Sequence, residues 1–289
     1  MFKGSGVAIV TPFDKNNKID YITFAKLIEF QIINNTDAIV VCGTTGESST
    51  LSENEKREII NFTVEFVKKR VPVIAGTGSN NTENAINLSK YAEKVGADGL
   101  LVVTPYYNKC TQKGLYLHYK EIADNVKLPI ILYNVPSRTS VNIDVDTVIK
   151  LSKIKNIVGI KEASSNISQI TNMMAKLDKN FFVYSGNDDQ ILPILALGGS
   201  GVISVLANIY PKETHDICYE YLNGNFDKAK KLQFKFLDVI KNLFIEVNPI
   251  PIKDALNYLG YNVGKCRLPL CDMDVKNKEK LIESLKAIQ

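Results

Sequence analysis

The sequence predicts a (β/α)8 barrel with a C-terminal helical addition. Eight short runs of nearly continuous apolar residues, typical of strands buried on both faces of a parallel sheet, recur at intervals of roughly 20 to 33 residues. Amphipathic, charge-rich segments lie between these runs, and only helical segments follow the eighth. Eight strand–helix units favour a closed barrel over a doubly wound sheet. We therefore expect a catalytic barrel over residues 1–224 and a helical domain over residues 225–289.

The predicted elements of the barrel alternate regularly. The strands are expected over residues 6–10, 38–41, 71–75, 99–103, 129–133, 157–160, 181–184 and 201–205. Segments with a clear helical period cover residues 21–33, 53–69, 82–95, 113–125 and 166–177. Ser52 and Asn166 are good N-cap residues for two of these helices.

The C-terminal region has helical patterns without strands between them. Helices are expected over residues 211–222 and 226–246, after residues 248–251, and over residues 277–288. We expect the barrel to close near Ile209, and the first of these helices to complete it. Pro249 and Pro251 suit a turn and the first turn of a helix, not its interior. No flexible linker separates the two parts, so they should pack as one body.

The composition argues against several classes of protein. Of the 289 residues, 45% are hydrophobic and 23% are charged, as in an ordinary globular enzyme. The net charge of +4 is not gathered into a basic block, which argues against nucleic acid and acidic membrane surfaces as partners. No apolar run reaches ~18 residues, and the short N-terminal run leads into Thr11 and Pro12, unlike a signal peptide. We expect a cytoplasmic protein.

The cysteines and histidines give no metal-site or disulfide pattern. The five cysteines are an odd number without a CxxC pair, which is simplest to explain as free thiols in a reducing compartment. His118 and His215 have no partner at metal-ligand spacing, so we expect no metal. Cys42 is more simply a small buried hydrophobic residue than a reactive thiol.

The sixth apolar run, residues 157–160, is followed by Lys161 and Glu162. At the edge of a dry interior, desolvation favours the neutral amine of a lysine, which can form a Schiff base with a carbonyl substrate. The alternative is that Lys161 lays its stem on apolar surface, with its head in water or paired with Glu162. Active sites of such barrels lie at the C-terminal ends of the strands. The residues that follow the other strands therefore help to decide between these two roles of Lys161.

The second strand leads into the sequence GTTGE, residues 43–47. Gly43 and Gly46 let the backbone turn tightly, so that backbone N–H groups and the hydroxyls of Thr44 and Thr45 can face an anion. The alternative is a capping turn that places Glu47 near the N-terminus of the next helix. The segment is not a phosphate-binding P-loop, because the GxxxxGK[ST] spacing is absent.

Aromatic side chains follow the fourth and fifth strands. Tyr133 ends the strand next to that of Lys161, where its phenol could relay protons, unless its hydroxyl merely satisfies a backbone carbonyl. Tyr106 and Tyr107 form an exposed pair, which predicts a subunit contact or a substrate wall.

Arg138 follows the fifth strand in a polar loop. Its planar guanidinium can bind a carboxylate in bidentate fashion. The alternative is a surface ion pair with an acid such as Asp144, worth ~1 kcal/mol or less.

Six motifs together resemble a known family. They are GTTGES at 43–48, the tyrosine pair at 106–107, YNVPSRT at 133–139, GIKEAS at 159–164, SGND at 185–188 and NPIPIK at 248–253. The chain resembles the pyruvate-dependent class I aldolases of the dihydrodipicolinate synthase and N-acetylneuraminate lyase family, along its whole length. GTTGE, Tyr133 and Lys161 match the whole family, whereas Arg138 and the Thr44-Thr45 pair favour the dihydrodipicolinate synthase branch.

The resemblance implies a reaction. Lys161 would form a Schiff base with pyruvate, which becomes an enamine and attacks L-aspartate 4-semialdehyde, in the diaminopimelate route to lysine. An iminium ion is an electron sink, so this carbon–carbon bond formation needs neither a metal nor an organic cofactor.

The resemblance also implies residue roles and an assembly. Tyr133, Thr44 and Tyr107 would form a proton relay, with Tyr107 reaching in from the neighbouring subunit of a tight dimer. Arg138 would hold the semialdehyde carboxylate. Thr45, Gly186 and Ile203 would line the pyruvate pocket. The usual assembly in the family is a homotetramer built as a dimer of dimers.

One departure concerns regulation. In lysine-inhibited members, the pocket at the dimer interface uses positions that match Ser48, Ser49, Glu53, Lys56, Asn80, Asn84 and Tyr106. Lys56 stands where a histidine is common in those members, and Asn84 replaces a glutamate. A cation added and a carboxylate lost should both weaken binding of an ammonium group. We expect lysine to inhibit this protein poorly or not at all.

Three alternatives stay open. A sister lyase would use the same pyruvate imine with another aldehyde, as in N-acetylneuraminate or 2-keto-3-deoxy sugar acid aldolases, although Arg138 argues for a small carboxylated aldehyde. A non-catalytic metabolite-binding barrel is disfavoured by the retention of Lys161 with Tyr133. A metal-dependent barrel aldolase lacks a ligand cluster.

Overall fold

Eight parallel strands close into a barrel in chain order in the computed structural model, which describes residues 1–288. The strands are β1 (Gly4–Ala8), β2 (Ala38–Val41), β3 (Val73–Gly76), β4 (Gly99–Val103), β5 (Ile130–Asn134), β6 (Ile157–Glu162), β7 (Phe182–Ser185) and β8 (Gly201–Ser204). Each pairs with the next, and β1 pairs with β8 to complete the ring. The predicted (β/α)8 barrel is confirmed, with strand ends that differ from the prediction by at most two residues.

Thirteen α-helices are present in the described residues. They are α1 (Tyr21–Ile33), α2 (Glu53–Val67), α3 (Thr82–Val95), α4 (Gln112–Asn125), α5 (Pro136–Thr139), α6 (Val145–Leu151), α7 (Ile167–Met174), α8 (Ile191–Ala196), α9 (Pro211–Leu222), α10 (Phe226–Lys235), α11 (Leu237–Asn242), α12 (Ile250–Tyr258) and α13 (Val275–Lys286).

The two predicted N-caps are present. Ser52 accepts a hydrogen bond from the backbone N–H of Glu55, whose side chain bonds back to the backbone of Ser52, a complete capping box. Asn166 accepts from the backbone N–H of Gln169 at the start of α7. Both helices therefore begin where a side-chain oxygen satisfies a free N–H group.

The helix expected over residues 226–246 is wrong in its extent. The chain leaves helical geometry at Phe236, with φ −97° and ψ 0°, and forms α10 and α11 instead. The ring of Phe236 is buried and packs against Tyr210 with ring centroids 4.8 Å apart. The break therefore coincides with a buried aromatic contact to a residue outside the two helices.

The period of two along the strands divides the core into two layers. Side chains such as Val40, Ile131 and Ile203 fill the barrel interior. Their sequence neighbours, such as Val41 and Leu132, pack outward against the helices. In β6 this alternation directs Lys161 inward and Glu162 outward.

The C-terminal region packs on the barrel through several elements. Helix α10 packs against α8 and α9 of the barrel, and α13 packs against α11 and α12. We retain the division at residues 224 and 225 as a proposal, since it separates the barrel helices from the added ones. No helix in the described part of the chain is long and apolar enough to cross a membrane.

Candidate active site

Lys161 lies inside the barrel near the C-terminal ends of the strands. It is only 6% exposed, and its Cα lies between those of Tyr133 on β5 and Tyr184 on β7. Its Nζ sits 4.5 Å from the centroid of the Tyr133 ring. Within residues 1–288, this amine has no hydrogen bond and no carboxylate within ion-pair distance. The ring face stabilises this head group, and the buried carboxyl group of Asp188, beyond ion-pair distance, also interacts electrostatically with it.

Glu162 is not the partner of Lys161. Its carboxylate accepts hydrogen bonds from Nδ2 of Asn134 at 3.1 Å and from the backbone N–H of Ser164 at 2.8 Å, on the outer side of the strand. Burial raises the pKa of this carboxyl group. The suggested pairing of Lys161 with Glu162 is thus wrong, because adjacent residues of a strand point to opposite faces. The low exposure of Lys161 also disagrees with a head group in water.

Thr44 and Tyr133 line the same small cavity, about 30 Å³ in volume, at the mouth of the barrel. Gly76 lies on its wall, where a Cβ atom would meet the carbonyl oxygen of Cys42 at 2.2 Å. Only glycine lets β3 approach the GTTGE loop this closely. Thr44 and Tyr133 therefore face one small space at the mouth of the barrel.

Glu47 does not cap a helix, contrary to the alternative interpretation of the GTTGE loop. It is 2% exposed with φ +54°, and helix α2 begins six residues later at Glu53. Its Oε1 accepts from Nζ of Lys253 at 2.8 Å, and its Oε2 accepts from the backbone N–H of Arg267 at 2.9 Å. The loop is therefore fixed by the C-terminal region.

Thr45 and Arg138 converge on Asn248. Thr45 is buried, and its Oγ1 accepts from Nδ2 of Asn248 at 3.0 Å. Nη2 of Arg138 donates to the backbone carbonyl of the same asparagine at 3.1 Å. Arg138 makes no ion pair with Asp144 in the part of the chain described, so that alternative is wrong. Asp144 instead precedes α6 and accepts from Asn142.

Gly186 and Ile203, which are predicted to line the pyruvate pocket, lie beside the Lys161 side chain and in the barrel interior, respectively. A Cβ at Gly186 would stand 3.1 Å from Cε of Lys161 and 2.6 Å from Cβ of Ala163. Ile203 is fully buried in the barrel interior on β8. A glycine at position 186 therefore leaves free space beside the lysine chain.

A second cavity of about 230 Å³ opens next to this site. Its lining includes hydroxyl groups, an aromatic ring and two cationic side chains, from Thr44, Ser48, Ser49, Lys56, Tyr106 and Arg138. Four of the seven residues predicted for lysine regulation thus meet here. The other three lie outside the lining: Glu53 pairs with Arg57, Asn80 accepts from Asn108, and Asn84 lies in the first turn of α3.

Tyr107 does not line either cavity of its own chain. Its side chain is 90% exposed, and its backbone has φ +73°. Such strain and exposure of a large ring are typical of a residue with a partner outside the chain.

Cys42 is buried beside the site, and burial raises the pKa of its thiol to about 12. A thiol in this state is a poor nucleophile, as expected for a small buried hydrophobic residue. In residues 1–288, no three His, Cys, Asp or Glu side chains are grouped to hold a metal ion.

Sequence reasoning missed Glu47, Lys253 and the side chain of Asn248. All three are polar and buried in segments that also carry apolar residues. One signal was available for Asn248 and Lys253. They flank the apolar and proline residues of the NPIPIK segment, a setting in which polar side chains can be buried.

The comparisons with known proteins extend over the whole described chain. A sequence model of the dihydrodipicolinate synthetase family matches residues 1–288. The 4-hydroxy-tetrahydrodipicolinate synthase of Clostridium novyi is 57% identical over 286 residues, covering 99% of this chain and 96% of that protein.

Solved structures give the same result. The crystal structure of dihydrodipicolinate synthase from Aquifex aeolicus has a TM-score of 0.96 at 49% identity, covering 99% of this chain and 97% of that one. The chloride-inhibited enzyme of Acinetobacter baumannii, crystallised with pyruvate, has a TM-score of 0.97 at 44% identity, covering 100% and 99%.

Proposed function

The chain belongs to the dihydrodipicolinate synthetase family and has the synthase activity for which its relatives are named, and we propose that it performs this reaction through a Schiff base on Lys161. The reaction condenses pyruvate with L-aspartate 4-semialdehyde on the diaminopimelate route to lysine. The observation that carries the proposal is the buried amine of Lys161, which lies over the Tyr133 ring without an acidic partner in residues 1–288.

The first step uses the free amine of Lys161. Its nitrogen attacks C2 of pyruvate, and loss of water gives an iminium ion. Loss of a methyl proton then turns the iminium into an enamine, whose terminal carbon attacks the aldehyde. The amine of the semialdehyde then attacks the same C2 atom. The bond between C2 and the nitrogen of Lys161 breaks, which closes the ring of the product and releases the lysine.

Water loss and enamine formation both require proton transfer. We assign this relay to Tyr133 and Thr44, which line one cavity beside Lys161. Tyr107 would complete it from a second subunit, because its ring is exposed and lies outside the cavities of its own chain.

Two carboxylates need binding partners. We assign the pyruvate carboxylate to Thr45 and its surroundings, with Gly186 and Ile203 shaping the space beside Lys161. Arg138 would hold the carboxylate of the semialdehyde, since its guanidinium lines the adjoining cavity and is not neutralised by an acid in residues 1–288.

The proposal includes an assembly and a location. A relay that needs Tyr107 from another subunit requires at least a dimer, and we propose a homotetramer built as a dimer of dimers in the cytoplasm. Sedimentation at micromolar concentration tests the assembly, and a stable, fully active monomer would contradict it.

The test of the function is trapping. Borohydride reduction in the presence of pyruvate should add one pyruvate-derived mass to the wild type and none to Lys161→Ala. Lys155→Ala, an exposed lysine near the start of the same strand, serves as the matched control and should be trapped normally. Turnover with L-aspartate 4-semialdehyde must accompany the adduct. An adduct without turnover would indicate a sister lyase, and no adduct would remove the proposed chemistry.

A further inference from the structure

Asn248 lies between the two proposed substrate subsites. It is 4% exposed and stands just before α12, 203 residues from Thr45 along the chain. Its side-chain N–H donates to Thr45, and its backbone carbonyl accepts from Arg138. The residues assigned to the carboxylates of two different substrates are thus both held by one residue.

The direction of the bond to Thr45 matters for anion binding. A hydroxyl group has one proton to donate and can accept through its lone pairs. Because Oγ1 of Thr45 accepts from the amide of Asn248 at 3.0 Å, its own proton remains free for another acceptor. A carboxylate is the strongest acceptor for such a proton.

The other end of the Asn248 amide is unsatisfied. Its Oδ1 is buried and has no hydrogen-bond partner within residues 1–288. Native structures leave few buried polar atoms without a partner, and those that remain call for an explanation. Within residues 1–288, the amide is therefore oriented through its N–H group and the bond to Thr45.

We propose that Asn248 is a positioning residue that directs the Thr45 hydroxyl proton at the carboxylate of pyruvate, while its backbone holds Arg138 for the second substrate. The inference rests on the proposed function, since it takes the Thr45 subsite from there. The side chain of Asn248 thus serves the binding of pyruvate, and its backbone carbonyl serves the binding of the semialdehyde.

The variant Asn248→Leu separates these two roles. Leucine has nearly the same shape but cannot donate, and it leaves the backbone carbonyl in place for Arg138. We expect the pyruvate concentration for half-maximal trapping to rise about tenfold, because the Thr45 hydroxyl is no longer directed at the charged carboxylate and one hydrogen bond to it is weakened. The KM for the semialdehyde should change less than about twofold, because its contacts are kept.

A double-mutant cycle tests whether Asn248 acts through Thr45. Thr45→Val removes the hydroxyl that Asn248 is proposed to direct. On this background Asn248→Leu should cause no further rise in the half-saturating pyruvate concentration, because the two residues act as one unit.

The matched control is Asn257→Leu on α12. Its Nδ2 donates to the backbone carbonyl of Gly264 at 2.9 Å, away from the site. The control makes the same chemical change in the same helical region and should leave pyruvate trapping unchanged. Asn248→Ala gives a second form of the test if the leucine variant does not fold.

The experiment is borohydride trapping followed by intact-mass spectrometry over a range of pyruvate concentrations, which needs no second substrate. A selective rise for Asn248→Leu that disappears on the Thr45→Val background supports the inference. An unchanged half-saturating concentration, or an equal rise on both backgrounds, overturns it. Failure of the wild type to form any adduct would instead remove the proposed function, so the two failures are distinguishable.

Discussion

Two lysines are buried in the described residues, and they differ in how their charge is neutralised. Lys161 is 6% exposed and Lys253 is 2% exposed. Each Nζ lies over an aromatic ring, at 4.5 Å from Tyr133 and 4.3 Å from Phe13, respectively. Lys253 also donates to Glu47 and to the backbone carbonyl of Lys265, at 2.8 and 2.9 Å. Lys161 has neither kind of partner within residues 1–288.

This difference suits Lys253 to a structural role and Lys161 to a reactive one. Burial lowers the pKa of Lys253, and the Glu47 carboxylate opposes that shift and stabilises the ammonium. Nucleophilic use of Lys253 would break this ion pair and leave Glu47 buried alone. The amine of Lys161 can attack a carbonyl without breaking any such pair. Burial by itself therefore does not identify a catalytic lysine, whereas burial without an acidic partner does favour one.

The comparison predicts the largest effect at Lys161. Lys161→Met should lower kcat at least about a thousandfold, or about 4 kcal/mol in activation free energy, because the nucleophile is gone. The free energy of unfolding should stay the same or rise, because an apolar chain replaces a buried polar head group that has no hydrogen bond in residues 1–288. Assays of kcat together with urea denaturation check both. A marked loss of stability would show that Lys161 is structural after all.

The reverse is expected at Lys253. Lys253→Met should destabilise the fold by about 3–5 kcal/mol, because it leaves the Glu47 carboxylate buried without its cation. The double variant Glu47→Gln with Lys253→Met should recover most of this loss. Urea denaturation of the three proteins measures the effect, and equal stability of the single variant and the wild type would contradict it.

The two histidines show the same contrast between a buried group without an acidic partner and one that has such a partner. His118 has a buried Nε2 without a partner in residues 1–288, and burial lowers its pKa to about 4 from an ordinary 6.5. His215 bonds to Asp37 at 2.9 Å, and this bond raises its pKa.

The signs of the two pH effects are opposite. Between pH 6.5 and 4 the unfolded state binds more protons at His118, so its contribution to stability falls as pH drops, by up to about 3 kcal/mol. The contribution of His215 is complete below pH 6.5 and is lost as pH rises through its folded pKa. The difference between the unfolding free energies of His118→Asn and the wild type should vary with pH only on the acid side. A difference that does not vary with pH would contradict the assignment.

Arg138 extends the comparison to the mouth of the barrel, where it also lacks an acidic partner in the described chain. Arg138→Met should raise the KM for L-aspartate 4-semialdehyde by about 10- to 100-fold, the value of hydrogen bonds to a charged group. Trapping of pyruvate should be unaffected, since Lys161 and Thr45 are unchanged. Equal loss for both substrates would show that Arg138 supports the loop and not one ligand.

The smallest expected effect is that of added L-lysine. Lys56 lines the second cavity, next to Arg138, and has no acidic partner in residues 1–288. The ammonium group of a lysine ligand would therefore meet a cation there. We expect little inhibition, and a submillimolar inhibition constant would contradict this. Lys56→His combined with Asn84→Glu should increase sensitivity to lysine, measured as the concentration for half inhibition.

Much of the fold could be predicted because its signal is local. Continuous apolar runs located all eight strands, and the position of Lys161 at the end of one such run already indicated a residue at the mouth of the barrel. Strand periodicity would also have separated Lys161 from Glu162, had the strand been extended by two residues. The helix break at Phe236 was not predicted, because the helical period continues through it and its packing partner, Tyr210, lies outside the segment.

The support of the site was missed for the same reason. Glu47 resembles a helix-capping acid when only its neighbours are considered, yet its partners Lys253 and Arg267 lie more than 200 residues later. The roles proposed for Thr44, Thr45, Tyr107, Arg138 and the regulatory residues came from family resemblance and stay predictions. Local pattern therefore cannot reveal supporting contacts such as those of Glu47, which join segments far apart in the chain.

This long separation affects how a newly made chain becomes an enzyme. Thr45 and Glu47 leave the ribosome early, but their partners Asn248 and Lys253 are separated from them by 203 and 206 residues. At a synthesis rate of about 5–20 residues per second, these partners follow roughly 10–40 seconds later. All eight strands and Lys161 precede them in the chain. A nascent chain can therefore contain the whole barrel before the GTTGE loop receives the contacts from Asn248 and Lys253 that hold it.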